Sequence, residues 1–212
     1  MNLAVKNNNN SYLELILSCT IFGSSGIFLN HISGMQISSI LFYRLFFGFT
    51  ILLGYLLITK KYHVFYADKK KLYLLLVGVF NVVTTYSYYS SIKYSGLSIA
   101  VLLLYTAPIY VTLLTPLILK EKMTRRGLLS LLVSMVGISM VVLPTNGSFG
   151  QNSHLAFGLI FGLLSGLSYS GTIMTVNHLK NDYSGIAQLF WSTLISLIIL
   201  IPFAGKVPQT VL

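Results

Sequence analysis

The chain has 212 residues, and only 8% of them are charged, against roughly a quarter in a soluble domain. Apolar residues make up 55%, so a water-exposed surface could not be built without large apolar patches. This composition excludes an ordinary soluble fold and predicts an integral membrane protein. The single cysteine, Cys19, excludes an intrachain disulfide and a thiolate metal site.

Apolar stretches long enough to cross a bilayer as helices recur along the whole chain. The predicted spans 1 to 7 are Tyr12–Leu29, Gln36–Ile58, Leu72–Ser90, Ser98–Leu119, Gly127–Leu143, His154–Leu179 and Gly185–Phe203. They predict an all-α membrane protein with about seven transmembrane helices and no sizeable domain outside the bilayer.

The basic residues are distributed unevenly between the two sides of these spans. One side holds Lys6, Lys60, Lys61, Lys69, Lys70, Lys71, Lys120, Lys122, Arg125, Arg126 and Lys180, whereas the other holds only Lys93 and Lys206. Because cytoplasmic loops are enriched in Lys and Arg, this predicts a cytoplasmic amino terminus. The expected location is the plasma membrane, which is the inner membrane if the protein is bacterial. The net charge of +10 therefore reflects membrane topology and does not indicate nucleic-acid binding.

Span 6 resembles span 1, and span 7 resembles span 2. Leu17-Ser18 aligns with Leu164-Ser165, Asn30-His31 with Asn177-His178, and Leu41-Phe42-Tyr43 with Leu189-Phe190-Trp191. Span 1 starts inside and span 6 starts outside, so the matching segments cross the membrane in opposite directions. Inverted repeats of this kind are typical of secondary transporters.

Several short motifs resemble the EamA family of the drug/metabolite transporter superfamily. They are Phe22-Gly23-Ser24-Ser25-Gly26, Tyr43-Arg44, the run from Ile92 to Ala100 leading into Pro108, and Lys120-Glu121-Lys122 followed by Gly127 and Gly137. Lys120 departs from the family, which more often has Gly before this Glu. The resemblance implies one five-helix unit over residues 12–144 and the first two helices of an inverted second unit over residues 154–204, with about three further spans needed to complete it.

The resemblance also implies a secondary transporter, more often an exporter, that moves a small metabolite such as an amino acid by alternating access without ATP. The alternative is a truncated, non-transporting membrane protein, or an interaction partner that needs a second chain to complete the fold. The lipid bilayer and a small-molecule substrate are the expected partners.

Arg44 is the strongest candidate for a substrate contact. It lies about eight positions from the external end of span 2 and fourteen from the internal end, too deep for its charge to reach water easily. It would face a polar cavity and meet an anionic group of the substrate or a carboxylate of further spans. The alternative is a structural arginine bonded to backbone carbonyls and to the hydroxyls of Tyr43 or Ser24.

Further candidates for the substrate pathway are Tyr43, Ser24, Ser25, Tyr86, Tyr105 and Trp191. Each has a structural alternative: close helix packing for Ser24 and Ser25, an aromatic interface belt for Tyr86, and packing or helix shape for Tyr105 and Trp191. Pro108 is expected to kink span 4, because it leaves the carbonyl of Leu104 without its helical donor.

Small residues recur every four positions along span 6, at Gly158, Gly162, Gly166 and Ser170. Such a stripe allows another helix to approach closely, either within the chain or in a homodimer. Enzyme motifs and clustered acids or histidines are missing from the sequence, so we expect no enzyme activity, metal site or cofactor.

Overall fold

The computed structural model describes residues 36–66, 70–118 and 153–203, together with residues 16, 17, 20, 129, 133, 136, 137 and 140, which are all helical. The chain divides into two units, Met1–Met35 with Val207–Leu212, and Gln36–Lys206. In the first unit the Thr20 hydroxyl donates to the Ile16 carbonyl oxygen at 2.9 Å. All other features below belong to the second unit.

The described part of the second unit is helical and contains no strand. Its helices are α1 (Ile37–Ile58), α2 (Lys71–Ser95), α3 (Leu97–Leu104), α4 (Ala107–Ile118), α5 (Ser153–Leu179) and α6 (Gly185–Leu200), with 3-10 turns at Tyr62–Phe65 and Ile201–Phe203. Helices form because an apolar segment in lipid must satisfy its backbone hydrogen bonds internally.

Five segments among the described residues are long and apolar enough to cross a membrane: α1, α2, Leu97–Leu114, His154–Leu179 and Gly185–Phe203. They correspond to predicted spans 2, 3, 4, 6 and 7, which confirms the all-α membrane fold. Predicted spans 1 and 5 lie outside the described residues except at the eight single helical positions above, so the count of seven stays a prediction.

The central helix is α2, against which α5, α6 and α3 all pack. α1 packs chiefly on α6, so that α6 lies between α1 and α2 although it is distant from both in sequence. Phe190 of α6 packs against α1 and the turn that follows it, since its ring centroid lies 5.4 Å from that of Phe49 in α1 and 5.1 Å from that of Phe65 in the turn. The helices predicted to begin a second unit are thus packed among those of the first.

The connections between helices are short and depend on particular residues. α2 meets α3 at the single residue Gly96, whose φ of +85° is one that residues with a side chain rarely adopt. α3 ends before Pro108, where the Thr106 amide bonds to the Leu103 carbonyl oxygen at 3.1 Å, three residues back instead of four. The fourth predicted span is therefore two short helices joined at Tyr105 and Thr106, because proline supplies no amide hydrogen.

Polar groups of the buried helix faces bond across helices. Ser91 Oγ donates to the Gly158 carbonyl oxygen at 2.7 Å, and Ser196 Oγ donates to the Gly78 carbonyl oxygen at 3.1 Å. Ser91 and Ser196 are fully buried. These bonds join α2 to α5 and to α6, as hydroxyl side chains commonly do between membrane helices.

Candidate functional site

Arg44 lies in the interior of α1, and its guanidinium contacts Tyr89 of α2. Arg44 Nη1 donates to the Tyr89 hydroxyl, and Arg44 Cζ lies 5.8 Å from the Tyr89 ring centroid. Seven residues of helix at 1.5 Å each place Arg44 about 10 Å from the start of α1. Tyr89 is buried, at 4% exposure, whereas Arg44 is exposed on the described part of the molecule. A cation deep in a membrane helix is thus held on one side by a buried phenol.

Two more tyrosines lie near this pair, and a threonine lies one turn before one of them on α2. Tyr88 packs edge-on against Tyr89, with 5.8 Å between the ring centroids, and interacts electrostatically with Arg44 and Tyr105. Tyr105 is 63% exposed and lies at the helix break before Pro108. One turn before Tyr88, the buried Thr84 hydroxyl has no hydrogen-bond partner among the described residues. We call Arg44, Thr84, Tyr88, Tyr89 and Tyr105 the Arg44 cluster.

The structure gives the other predicted pathway residues different surroundings. Tyr43 is half-buried and packs edge-on against Phe42, at 5.5 Å between centroids. Tyr86 is 42% exposed on α2. Ser24 and Ser25 lie outside the described residues, so their predicted role stays a prediction.

Trp191 lies away from the Arg44 cluster, near the turn that follows α1. Its Nε1 donates to the Val64 carbonyl oxygen at 3.2 Å, and its ring packs edge-on against Phe190 at 5.6 Å. It also packs against the buried cluster of Leu74, Val77 and Leu179. These contacts fit the packing alternative, and the pathway role of Trp191 stays a prediction.

The small-residue stripe of α5 faces other helices of the same chain. A Cβ added at Gly158 would lie 2.6 Å from Ser95 Cβ, and one at Gly162 would lie 2.8 Å from Leu103 Cβ. One at Gly166 would lie 2.7 Å from the Leu103 carbonyl oxygen. Ser170 is fully buried and its hydroxyl donates to the Leu167 carbonyl oxygen at 2.6 Å. The stripe thus lets α5 approach the end of α2 and the backbone of α3.

A cavity that the sequence did not predict, lined by both apolar and polar side chains, lies between α2, α5 and the start of α6. Its volume is about 460 Å³. Its polar lining includes Asn81, Thr172, Lys180, Gln188 and Ser192. The feature of the sequence that could have indicated this cavity is Gln188, an amide side chain in a mainly apolar run, one turn after the helix cap Ser184.

A second cavity, of about 500 Å³, lies between the turn after α1 and the turn between α5 and α6. Its lining includes His63, Tyr66 and Asn181. Beside it Lys70 Nζ forms an ion pair with Asp182 Oδ2 at 2.9 Å. The two turns therefore lie at the same end of the helices. Nowhere in the described ranges do three His, Cys, Asp or Glu side chains gather as a metal site would require.

Comparison with known proteins identifies the family. The model of the EamA-like transporter family matches residues 10–143, more than half of the chain. An uncharacterized transporter of Archaeoglobus fulgidus is 30% identical over 189 residues, which cover 89% of this chain and 64% of that protein. An uncharacterized transporter of Bacillus subtilis is 26% identical over 206 residues, which cover 95% of this chain and 64% of that protein.

The chain thus spans a little under two thirds of the length of these curated relatives. No solved structure matches it. The family match indicates a transporter, and the five segments long and apolar enough to cross a membrane are what a transporter requires. The chain is a multi-pass membrane protein and belongs to the EamA-like transporter family.

Proposed function

We propose that the chain acts in a secondary transporter that exports a small metabolite, such as an amino acid, by alternating access without ATP. The observation that carries this proposal is the Arg44 cluster, in which a cation deep within a membrane helix is held by a buried phenol. Ionisable groups at such depth are costly and usually mark a substrate or ion pathway.

The chemistry of the Arg44 cluster suits an anionic group of the substrate. A guanidinium presents planar N–H donors that match carboxylate and phosphate oxygens, and Tyr89 holds this one in place. The break between α3 and α4 supplies irregular backbone at Tyr105 and Thr106, and Tyr105 is a member of the Arg44 cluster. Discontinuous helices of this kind line the substrate sites of many transporters.

We propose that residues 12–144 and 154–204 belong to two inverted units. Support comes from α1 and α6, the second members of the two units. Leu56 near the end of α1 packs in one cluster with Ala187 near the start of α6, so the helices run antiparallel. An inverted repeat requires this relation, and rocking of the units would expose the Arg44 cluster to each side in turn.

We also propose that the amino terminus is cytoplasmic and that the protein lies in the plasma membrane. Lys60, Lys61 and Lys70 follow α1, and Lys180 follows α5. The ion pair between Lys70 and Asp182 joins these two connections at one end of the molecule. Lys and Arg concentrate on the cytoplasmic side of membrane proteins, so this end is assigned to the cytoplasm.

The proposal is tested by flux measurements on the purified chain in liposomes, with a panel of metabolites and with or without a pH gradient. Arg44→Gln removes the cation, and Arg44→Lys keeps the charge but not the planar donors. Loss of about 2 kcal/mol of charge-assisted hydrogen bonding would slow flux roughly thirtyfold in Arg44→Gln. Lys93→Gln, at the exposed end of α2, should leave flux unchanged.

The two parts of the proposal fail in different ways. If the unsubstituted chain moves no metabolite of the panel, transport by this polypeptide is wrong. If it moves one and Arg44→Gln moves it equally fast, transport stands and the role of Arg44 is wrong. Equal amounts of each variant in the membrane are checked first, so that a loss of flux is not a loss of insertion.

A further inference from the structure

In the side-chain amide of Gln188 the N–H group is hydrogen-bonded, whereas the carbonyl oxygen has no partner among the described residues. Gln188 is 5% exposed, and its Nε2 donates to the Tyr183 carbonyl oxygen at 3.1 Å. This bond fixes the orientation of the amide, because Gln188 Oε1 would be repelled by another carbonyl oxygen. Gln188 Oε1 is buried and receives no hydrogen bond from any described residue. A buried acceptor of this kind calls for a donor from elsewhere.

Gln188 lines the 460 Å³ cavity between α2, α5 and the start of α6, which we call the Gln188 cavity. Its volume is in the range of small-molecule sites. Lys180 and Gly185, the first residue of α6, also line it, so a cation and a helix amino terminus border the same space. Both favour an anionic group.

The position of the cavity indicates where its ligand comes from. It lies at the end of α5 and the start of α6, where membrane helices reach the head groups. Two of its lining residues are exposed apolar side chains, Val176 at 37% and Leu189 at 54% exposure. A ligand there would have its polar part beside Lys180 and Gln188, with apolar chains along Val176 and Leu189.

We propose that the Gln188 cavity binds the head group of an aminophospholipid such as phosphatidylethanolamine. The phosphate binds beside Lys180 and the start of α6, and the primary ammonium donates a hydrogen bond to Gln188 Oε1. A choline head group carries the same phosphate but no N–H, so it leaves Gln188 Oε1 without a donor. Gln188 therefore selects between two abundant head groups, and this selection does not depend on the transport proposal.

The test uses the purified chain in nanodiscs of phosphatidylcholine with increasing fractions of phosphatidylethanolamine. Native mass spectrometry measures which lipid stays bound, and intrinsic fluorescence reports on the single tryptophan, Trp191. Trp191 packs against the same buried cluster as Tyr183, which lines the cavity. We expect retention of phosphatidylethanolamine over phosphatidylcholine and a saturable shift of Trp191 emission. Equal retention of the two lipids would overturn the proposal.

Two substitutions separate ligand binding from a structural role of Gln188. Gln188→Met removes both the N–H donors and the carbonyl oxygen of the side-chain amide, and the preference should fall about tenfold with the loss of one charge-assisted hydrogen bond. Gln188→Glu also loses the bond to Tyr183 but keeps an acceptor oxygen, so the preference should persist. If both variants lose the preference equally, Gln188 acts only through its bond to Tyr183 in the turn before α6, and the proposed contact with the ammonium is wrong.

Lys180 is tested in the same nanodiscs. Lys180→Gln should weaken retention of both lipids without changing their ratio, because the phosphate is common to them. Lys71→Gln, an exposed lysine at the start of α2 that does not line the cavity, is the matched control and should change neither. An equal loss of retention in the two lysine variants would contradict a phosphate site at Lys180.

Soluble head groups distinguish a lipid from a free solute of the same chemistry. Phosphoethanolamine and phosphocholine are added separately to nanodiscs of pure phosphatidylcholine. A Trp191 response to phosphoethanolamine and not to phosphocholine supports recognition of the N–H donor. A response to phosphoethanolamine with none to phosphatidylethanolamine would overturn the lipid assignment in favour of a soluble ligand.

Discussion

The contact between Arg44 and Tyr89 positions a charge by means of a neutral group. The Tyr89 hydroxyl accepts from Arg44 Nη1, while the ring lies within cation–π distance of the guanidinium. A carboxylate in place of Tyr89 would neutralise the cation and weaken its attraction for an anionic substrate. A phenol orients the guanidinium without adding a negative charge of its own.

Tyr89→Phe keeps the ring and removes the hydroxyl, so it tests this positioning role. We expect KM for the transported metabolite to rise about fivefold, corresponding to the roughly 1 kcal/mol of a typical hydrogen bond, with little change in the maximal rate. Tyr94→Phe is the matched control, since Tyr94 is exposed on the same helix and stacks on His154. A similar rise of KM in both variants would show that the Tyr89 hydroxyl has no special role.

The sequence identified Arg44 and Tyr105 as candidates but not Tyr89, the hydrogen-bond partner of Arg44. Charge inside an apolar span is visible without a fold, because its cost depends only on depth. The partner depends on how α1 and α2 are rotated about their axes, since Tyr86 and Tyr89, three residues apart, point only about 60° apart around α2. Gln188 was missed for a similar reason, since an amide in an apolar run does not show whether its oxygen has a donor.

At the scale of helices, the apolar runs predict the described elements closely. Span 2 was expected at Gln36–Ile58 and the helix is Ile37–Ile58. Span 3 was expected to end at Ser90, but α2 continues to Ser95 because Ser91 and Ser95 bond to each other and to helix backbone. The pairing of helices could not be read from hydropathy, which carries no information about which apolar faces meet.

Close approach of α5 to its neighbours makes a prediction for Gly162→Ala. The new Cβ would lie 2.8 Å from Leu103 Cβ, so α3 or α5 must shift. We expect a loss of about 1–3 kcal/mol in the free energy of unfolding, the usual cost of overpacking a core. Thermal unfolding in detergent, followed by the helical circular dichroism signal, measures the change.

Gly54→Ala is the matched control for this substitution. A Cβ at Gly54 in α1 has no heavy atom within 4 Å, and alanine favours a helix over glycine. Its unfolding temperature should therefore be unchanged or slightly higher. Equal destabilisation by Gly54→Ala and Gly162→Ala would contradict the packing of the stripe against α3.

At the scale of the whole molecule, the structure groups the connections between helices into two sets. His63 and Asn181 line one cavity at one end. The second set lies at the opposite end. There Tyr94 near the end of α2 stacks on His154 near the start of α5, with 6.3 Å between ring centroids. The proposed orientation places the first set in the cytoplasm. The fold requires the members of each set to share a side of the membrane.

Single cysteines test both statements at once. Cys19→Ser removes the only natural thiol, and new cysteines replace His63, Asn181, Lys93 or His154, all of which are exposed. In intact bacterial cells a membrane-impermeant maleimide should label positions 93 and 154, and label positions 63 and 181 only after permeabilisation. The opposite pattern would reverse the orientation and keep the fold. Labelling of 63 and 181 from different sides would contradict the fold itself, because the two positions line one cavity.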